Sequence, residues 1–424
     1  MRQHVFTGFG FGPIQGGLFA GEAFQSGNFS RIVVAEIDQN LIDAVRANNG
    51  TYFVNVAKTD GIQIMKFDNI ELLNPNVDND RNVLLDALSE STDIITCLPS
   101  ISYYTMGDKN VAALIGEGLH SSKASAKVIY AAENHNHAAQ ILKSAVAKEM
   151  GAVPGNNVQF LNTVIGKMSR VVTNPAEIEQ LKLTPITPEL NRAFLVEEFN
   201  RILVTRCMLK NFRPGIRVFI EKENLLPFEE AKLYGHNAIH ALLAYLGKVK
   251  GYEKMTQLKQ DSKIMEIARG AFLQESGAAL IKKYANLDDE LFTKKGYKKY
   301  AEDLLERMTN PFLADTVERA GRDLLRKLAC NDRIFGTMTL ALEHDIEPHN
   351  MAMGAIAGIA ILLEKAEENN LPLDLRFGPW QKLDSAKIEK ILNWIWNKNT
   401  GEYANELIKY VRFAQQRLEV LLKT

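Results

Sequence analysis

Short apolar runs and helical periods alternate along roughly the first 165 residues. Val5-Phe6-Thr7 reads as a buried strand, a glycine-rich turn follows, and an apolar helical pattern covers 14–24. Ile32-Val33-Val34-Ala35 reads as a second buried strand, with a helix after it over about 40–48. Further strands are expected at 94–98, 128–132 and 158–161. This alternation predicts βαβ units and a parallel sheet, because each crossover helix covers one face of the sheet. From about residue 200 the period changes to long amphipathic helices, among them 228–246, 264–284, 314–328 and 402–422. The pattern therefore predicts an α/β domain over 1–200 and a mostly α-helical domain over 201–424. There is no internal repeat and no low-complexity tract.

Composition narrows the partners. The chain has 424 residues, 46% of them hydrophobic, with 50 Lys+Arg against 51 Asp+Glu and a net charge of -1. So much apolar chain buries more than one core and excludes disorder as the main character. Balanced charge argues against nucleic acid or an anionic membrane as partner, so any anion site must be local. Cys97, Cys207 and Cys330 lie far apart, in no metal or redox spacing, and read as reduced thiols of a cytoplasmic protein. No signal-peptide pattern follows Met1. The longest apolar run, 351–363, is interrupted by Gly354 and Gly358 and falls short of the ~20 residues of a membrane span. It reads as a buried helix.

The first turn runs Gly8-Phe9-Gly10-Phe11-Gly12-Pro13-Ile14-Gln15-Gly16-Gly17. Glycines are needed where a strand turns sharply into a helix and the backbone must approach a pyrophosphate, which the helix N-terminus then meets with N–H donors. Gln15 stands where the third glycine of the Rossmann fingerprint belongs, while Gly16 and Gly17 still allow close helix–strand packing. The second strand ends at Glu36, with Asp38 two residues on. An acid there accepts bonds from the adenosine ribose hydroxyls and repels a 2′-phosphate, which favours NAD over NADP. Gly8, Gly10, Gly12, Pro13, Ile14, Gln15 and Glu36 are thus the candidate cofactor residues. An ordinary tight βα turn is the simpler alternative. A kinase-type phosphate loop is disfavoured, since no Gly-Lys-Ser/Thr follows.

The stretch Pro227-Phe228-Glu229-Glu230-Ala231-Lys232-Leu233-Tyr234-Gly235-His236-Asn237-Ala238-Ile239-His240 carries most of the chemistry. On an α-helix of about 100° per residue, Lys232, His236 and His240 fall within roughly 80° of one another, and Asn237 flanks Lys232 at about 140°. That face offers an amine, an amide and imidazoles, with no carboxylate on the same stripe. The set suits an alcohol that loses a proton and becomes a carbonyl: a lysine of depressed pKa acts as base, and neighbouring donors hold the developing alkoxide. His236 and His240 have zincin-like spacing, but Asn237 stands where a metalloprotease glutamate would be, so no metal is expected. From spacing alone, a solvated polar face with one satisfied core histidine explains the stretch as well.

Lys232-x4-Asn237-x2-His240, followed by Ala244-Tyr245-Leu246-Gly247 and Lys250-Gly251-Tyr252, resembles the polyol-specific long-chain dehydrogenases. The resemblance extends through Gly270-Ala271-Phe272, Glu275-Ser276-Gly277, Asn310-Pro311-Phe312-Leu313, Asp315, Arg319-Ala320-Gly321-Arg322, Leu325-Arg326-Lys327-Leu328 and Asp332-Arg333. In the first half it takes in Glu133-Asn134 and Asn162-Thr163. It implies a Rossmann-like NAD-binding domain, a helical substrate-binding domain and an active site in the cleft between them. It also implies Lys232 as general acid/base, Asn237 and His240 on the substrate oxygen, and Asn134 near the nicotinamide and the reacting carbon; His236, on the same helix face as Lys232, is a further candidate beside the substrate. The implied reaction is reversible hydride transfer between NAD and a polyol, mannitol 1-phosphate giving fructose 6-phosphate; the oligomeric state is not readable from the sequence, and a monomer or homodimer is expected. Relatives often carry an acid where this chain has Gly166. Arg319, Arg322 and Arg326 form one basic stripe on the expected helix, and with Lys327 they are candidates for a sugar-phosphate. Asp315 and Asp323 share that face, so a salt-bridged helix accounts for the stripe equally well. Oxidation of free hexitols, reduction of hexuronates, and a nucleotide-binding regulator without catalysis stay open as alternatives.

Overall fold

The computed structural model describes residues 4–397 and 401–423. The chain divides into two compact units between Leu226 and Pro227. The expected junction near 200 therefore falls inside the first unit. What carries that unit further is a pair of four-residue strands that a periodicity reading passes over.

The first unit is built on an eight-stranded sheet of β1 (His4–Phe9), β2 (Phe29–Ala35), β5 (Ile70–Leu73), β6 (Asp93–Thr96), β7 (Lys127–Ala131), β8 (Val158–Ile165), β11 (Ile202–Thr205) and β12 (Phe219–Lys222). Their order is β12-β11-β8-β7-β6-β1-β2-β5. All pairings are parallel except β8 with β11. The strand order reverses between β1 and β6, which puts the topological switch point of a doubly wound fold beside the glycine turn. The five expected strands are all present, and β6, β7 and β8 read as buried runs because helices cover both faces. A second, four-stranded sheet was not expected. It comprises β3 (Tyr52–Ala57), β4 (Ile62–Phe67), β9 (Ser169–Val172) and β10 (Ala193–Glu197), in the order β4-β3-β10-β9. The first helix packs against it: a Cβ on Gly17 would meet Val196 at 2.8 Å and Val54 at 3.2 Å, and one on Gly16 would meet Phe194 at 3.1 Å. The two glycines do permit close packing, and their partners are β3 and β10.

The second unit is helical. The apolar run expected as a buried helix is the helix Met351–Glu364, buried from Met351 to Leu362. It packs against the helices Ala238–Val249 and Ala404–Leu422. Among the described residues no helix is long and apolar enough to cross a membrane. The single helix expected over 314–328 does not form. Ala314 and Asp323 both adopt left-handed backbone (φ 48° and 59°), leaving two short helices, Val317–Gly321 and Leu324–Lys327. An αL residue ends an α-helix, and Asp accepts that conformation better than most.

Candidate active site

The glycine turn has the backbone that a dinucleotide needs. Gly10 sits at φ +79°, and a Cβ there would meet the Cys97 carbonyl oxygen at 2.8 Å, so only glycine makes this turn. Around Gly12 an added Cβ would meet nothing within 4 Å, which leaves the helix start open to an incoming group. The helix begins at Pro13, whose missing N–H costs nothing at that position. Gln15 behaves differently from its expected role. Its side chain is fully buried against β1, where a Cβ on Gly8 would collide with its amide at 1.8 Å. Gln15 and Gly8 thus form the helix–strand contact, and Gln15 offers a cofactor only its backbone. Glu36 accepts from the N–H groups of Phe11 (2.7 Å), Ile37 (2.7 Å) and Asp38 (3.0 Å). These bonds fix the carboxylate at the strand end and occupy three of its roughly four acceptor positions. Asp38 caps the next helix and pairs with Arg192 at 2.7 Å.

Asn134 is exposed just beyond the end of β7. The preceding Glu133 is buried and holds that strand end. It accepts from the Leu98 N–H (2.9 Å), from the Thr96 hydroxyl (2.9 Å) and from Tyr104. Burial pushes its carboxyl up, against the pull of those donors.

In the second unit, Lys232, His236 and Asn237 lie on a π-helical segment, Ala231–Asn237, which runs straight into the α-helix Ala238–Val249. This changes the expected geometry. In a π-helix each N–H bonds five residues back, so residue i+5 comes nearly above residue i. Asn237, expected about 140° away from Lys232 on an ideal α-helix, is thereby turned toward the lysine's face. Packing sustains the distortion. A Cβ on Gly235 would stand 2.8 Å from the Tyr297 hydroxyl and 3.0 Å from Phe272, so glycine lets the wide turn seat. Tyr300 donates to the Ala231 carbonyl (3.3 Å) and Thr337 to that of Tyr234 (3.2 Å).

Electrostatics in this unit lower the proton affinity of the amine. Burial, reinforced by Arg333, lowers Lys232 to about 8. Burial, then Arg307, His240 and Lys232, hold His236 well below the ordinary histidine range, so its ring is neutral. The stripe also carries a carboxylate that the wheel reading had excluded. Glu229 is buried one turn before Lys232, and burial raises it to about 7 despite the lysine. His240 and His236 have ring centroids 6.4 Å apart. His240 Nε2 lies 3.2 Å from Asp315 Oδ2. Asp315, though burial opposes ionisation, is held well below the usual carboxylate range by His240 and Arg319. Its carboxylate beside Nε2 favours one facing of the imidazole.

The expected basic stripe is not one. Arg319 clamps Asp315 through Nε (2.6 Å) and Nη2 (2.9 Å), so its fork is taken. Arg322 is exposed. Arg326 is also exposed and pairs with Asp323 at 3.2 Å and Asp332 at 3.5 Å. Lys327 is buried instead, with its ammonium on the Ala320 carbonyl at 2.6 Å. Burial, then Arg333 and Arg326, lower it to about 7. Glu229, Asp315 and Arg333 thus complete a group whose roles spacing did not reveal. The i,i+4 pair Asp315–Arg319 was the one legible clue, and it read as surface charge. Among the described residues no group of three or more His, Cys, Asp or Glu is placed to hold a metal.

Comparison with known proteins bears on the family and the fold. A family model described as the mannitol dehydrogenase C-terminal domain matches residues 224–414. Mannitol-1-phosphate 5-dehydrogenase of Buchnera aphidicola subsp. Acyrthosiphon pisum (strain Tuc7) is 30% identical over 357 residues, covering 82% of this chain and 84% of that protein. The enzyme of that name from strain 5A is 29% identical over 360 residues, with the same coverage. Among solved structures, Pseudomonas fluorescens mannitol 2-dehydrogenase in ternary complex with NAD and D-mannitol superposes with a TM-score of 0.72 at 17% identity, covering 99% of this chain and 94% of that one. A substrate-free D-sorbitol dehydrogenase superposes with a TM-score of 0.76 at 15% identity and the same coverage. The solved structures establish the shared fold, and the Buchnera relatives establish the lineage: this chain belongs to the polyol dehydrogenase family.

Proposed function

We propose that this chain is an NAD-dependent dehydrogenase that interconverts mannitol 1-phosphate and fructose 6-phosphate. The observation that carries the reading is Lys232, an amine brought to about 8 by burial and Arg333 on a π-turn that also presents Asn237. In the oxidative direction neutral Lys232 takes the hydroxyl proton of the substrate. Asn237 and His240 donate to the oxygen as it gains charge, with His240 steadied by Asp315. In the reverse direction protonated Lys232 returns the proton. NAD, when bound, accepts and supplies the hydride. The residues suited to hold it are Gly10, Gly12, Pro13 and Ile14 through their backbone, Glu36 through its remaining acceptor capacity, and Asn134 beyond β7. The phosphorylated substrate is favoured by the names of the curated relatives and by the buried cations Lys327 and Arg333.

A substrate panel tests the proposal. NADH oxidation is followed with fructose 6-phosphate, fructose, tagaturonate and fructuronate. Fructose 6-phosphate is expected to give the highest kcat/KM; a higher value with any other member replaces the substrate, and NADH binding without turnover on any polyol or ketose replaces the enzyme with a regulator.

A further inference from the structure

We propose that Arg333 determines substrate class, its guanidinium fork receiving the phosphate of the substrate with the Lys327 ammonium beside it. The inference deepens the dehydrogenase reading and rests on it. Arg333 was no candidate from spacing, since it lies outside both the lysine motif and the basic stripe.

Its geometry differs from that of every arginine in the stripe. The side chain is 9% exposed, and Nε alone is engaged, donating to Asp332 Oδ1 at 2.7 Å. Among the described residues, Nη1 and Nη2 have no hydrogen-bond partner. Arg319, by contrast, spends both arms on Asp315, and Arg322 and Arg326 are exposed. Arg333 is also fastened to the Lys232 segment. Thr337 Oγ1 is 2.5 Å from the Arg333 carbonyl and 3.2 Å from that of Tyr234, so one hydroxyl ties the two stretches together.

The charge balance calls for an anion. Arg333 acts on Lys232, on His236 and on Lys327, in each case against a positive charge. Of the nearby carboxylates, Asp332 divides itself between Arg333 and Arg326, Asp323 pairs with Arg326, and Glu229 beside Lys232 is itself raised to about 7. Cations gathered in a poorly solvated place are costly unless something pairs with them. Lys327 uses one of its three donors on Ala320. Two free guanidinium arms and further ammonium donors match a phosphate monoester, whose oxygens take a planar fork bidentately. A bare hydroxyl in that position would leave the two guanidinium Nη groups and the remaining ammonium donors without an anionic acceptor, which is how a site rejects the unphosphorylated analogue.

The test uses the full-length protein and the variants Arg333→Gln and Arg333→Lys. The first readout is the ratio of kcat/KM for fructose 6-phosphate to that for fructose. It is expected to fall about 100-fold in Arg333→Gln, chiefly through KM, and about tenfold in Arg333→Lys, which keeps charge and loses the fork. The second readout is the rise in Tm on adding inorganic phosphate without substrate or cofactor, expected in the wild type and lost in Arg333→Gln. An unchanged ratio in an active, folded Arg333→Lys overturns the proposal, as does a full phosphate-induced rise in Arg333→Gln. Should Arg333→Gln not fold, Arg333→Lys decides on both readouts. Failure of the dehydrogenase reading looks different: the wild type then turns over no ketose or polyol, and the melting experiment still judges Arg333.

Discussion

The stretches 232–240 and 319–327 look alike on paper, each presenting basic and polar side chains at helical intervals toward one side. In three dimensions they part company. The first gains from a local irregularity: the π-turn draws Asn237 toward Lys232, and the α-helix beyond it carries His240 to Asp315. The second is undone by one. Asp315 consumes Arg319, and Asp323 in left-handed backbone splits the expected helix, beyond which Arg326 faces solvent and Lys327 turns inward. A helical wheel assumes one period throughout, and here a chemical cluster exists in one case and dissolves in the other because that assumption fails in opposite directions.

The contrast can be broken most directly at its first half. Lys232→Ala is expected to lower kcat by about 10²–10⁴-fold, the range for removing a general acid/base, with NADH affinity by fluorescence titration nearly unchanged. Turnover near the wild-type level would return the stretch to a mere polar face. Next in size is Asp315→Asn, which leaves His240 without its anionic partner. We expect a loss of about 10- to 100-fold in kcat/KM, in line with other supporting carboxylates, and stability by urea titration shows how much of it is structural. A third measurement sharpens the role of Lys232 through pH. Its pKa is lowered to about 8, so the neutral base accumulates as pH rises. Oxidation should therefore climb about tenfold per unit below that value and level above it, while reduction, which needs the protonated amine, falls above it. Two profiles with the same slope sign would exclude the assignment. Smallest is Arg326→Gln on the dissolved stripe. Its exposed pairs are worth little, so kcat/KM for fructose 6-phosphate should stay within about twofold; a tenfold loss would restore the stripe as a substrate surface.

Much of the fold was legible where one physical demand dominates. Buried parallel strands read as apolar runs, and Gly10 could be named because a left-handed turn against the Cys97 carbonyl admits little else. The second sheet was not legible: β4, Ile62–Phe67, mixes Gln and Lys among its apolar residues because it is an edge strand, half open to water. Lys232, Asn237 and His240 were named through a motif, yet the π-turn that relates them depends on Gly235 meeting Tyr297 and Phe272, residues far along the chain. Gln15 showed the converse. It looked like a damaged cofactor loop and is a packing contact with Gly8. Arg333 was invisible because which of two neighbouring arginines turns inward is decided by the bends after Asp323, where no periodicity applies.

Gly354 in the buried helix Met351–Glu364 faces Leu242, two residues beyond His240. A methyl added there would stand 2.8 Å from the Leu242 Cδ1 atom and 3.4 Å from its Cα. Those two rods consequently meet almost main chain to main chain, and their spacing sets how deep the imidazole bearer sits. Bulk introduced at 354 would be felt as misalignment of the reacting groups, a lesion that resembles lost chemistry in an assay while every reactive side chain is still in place.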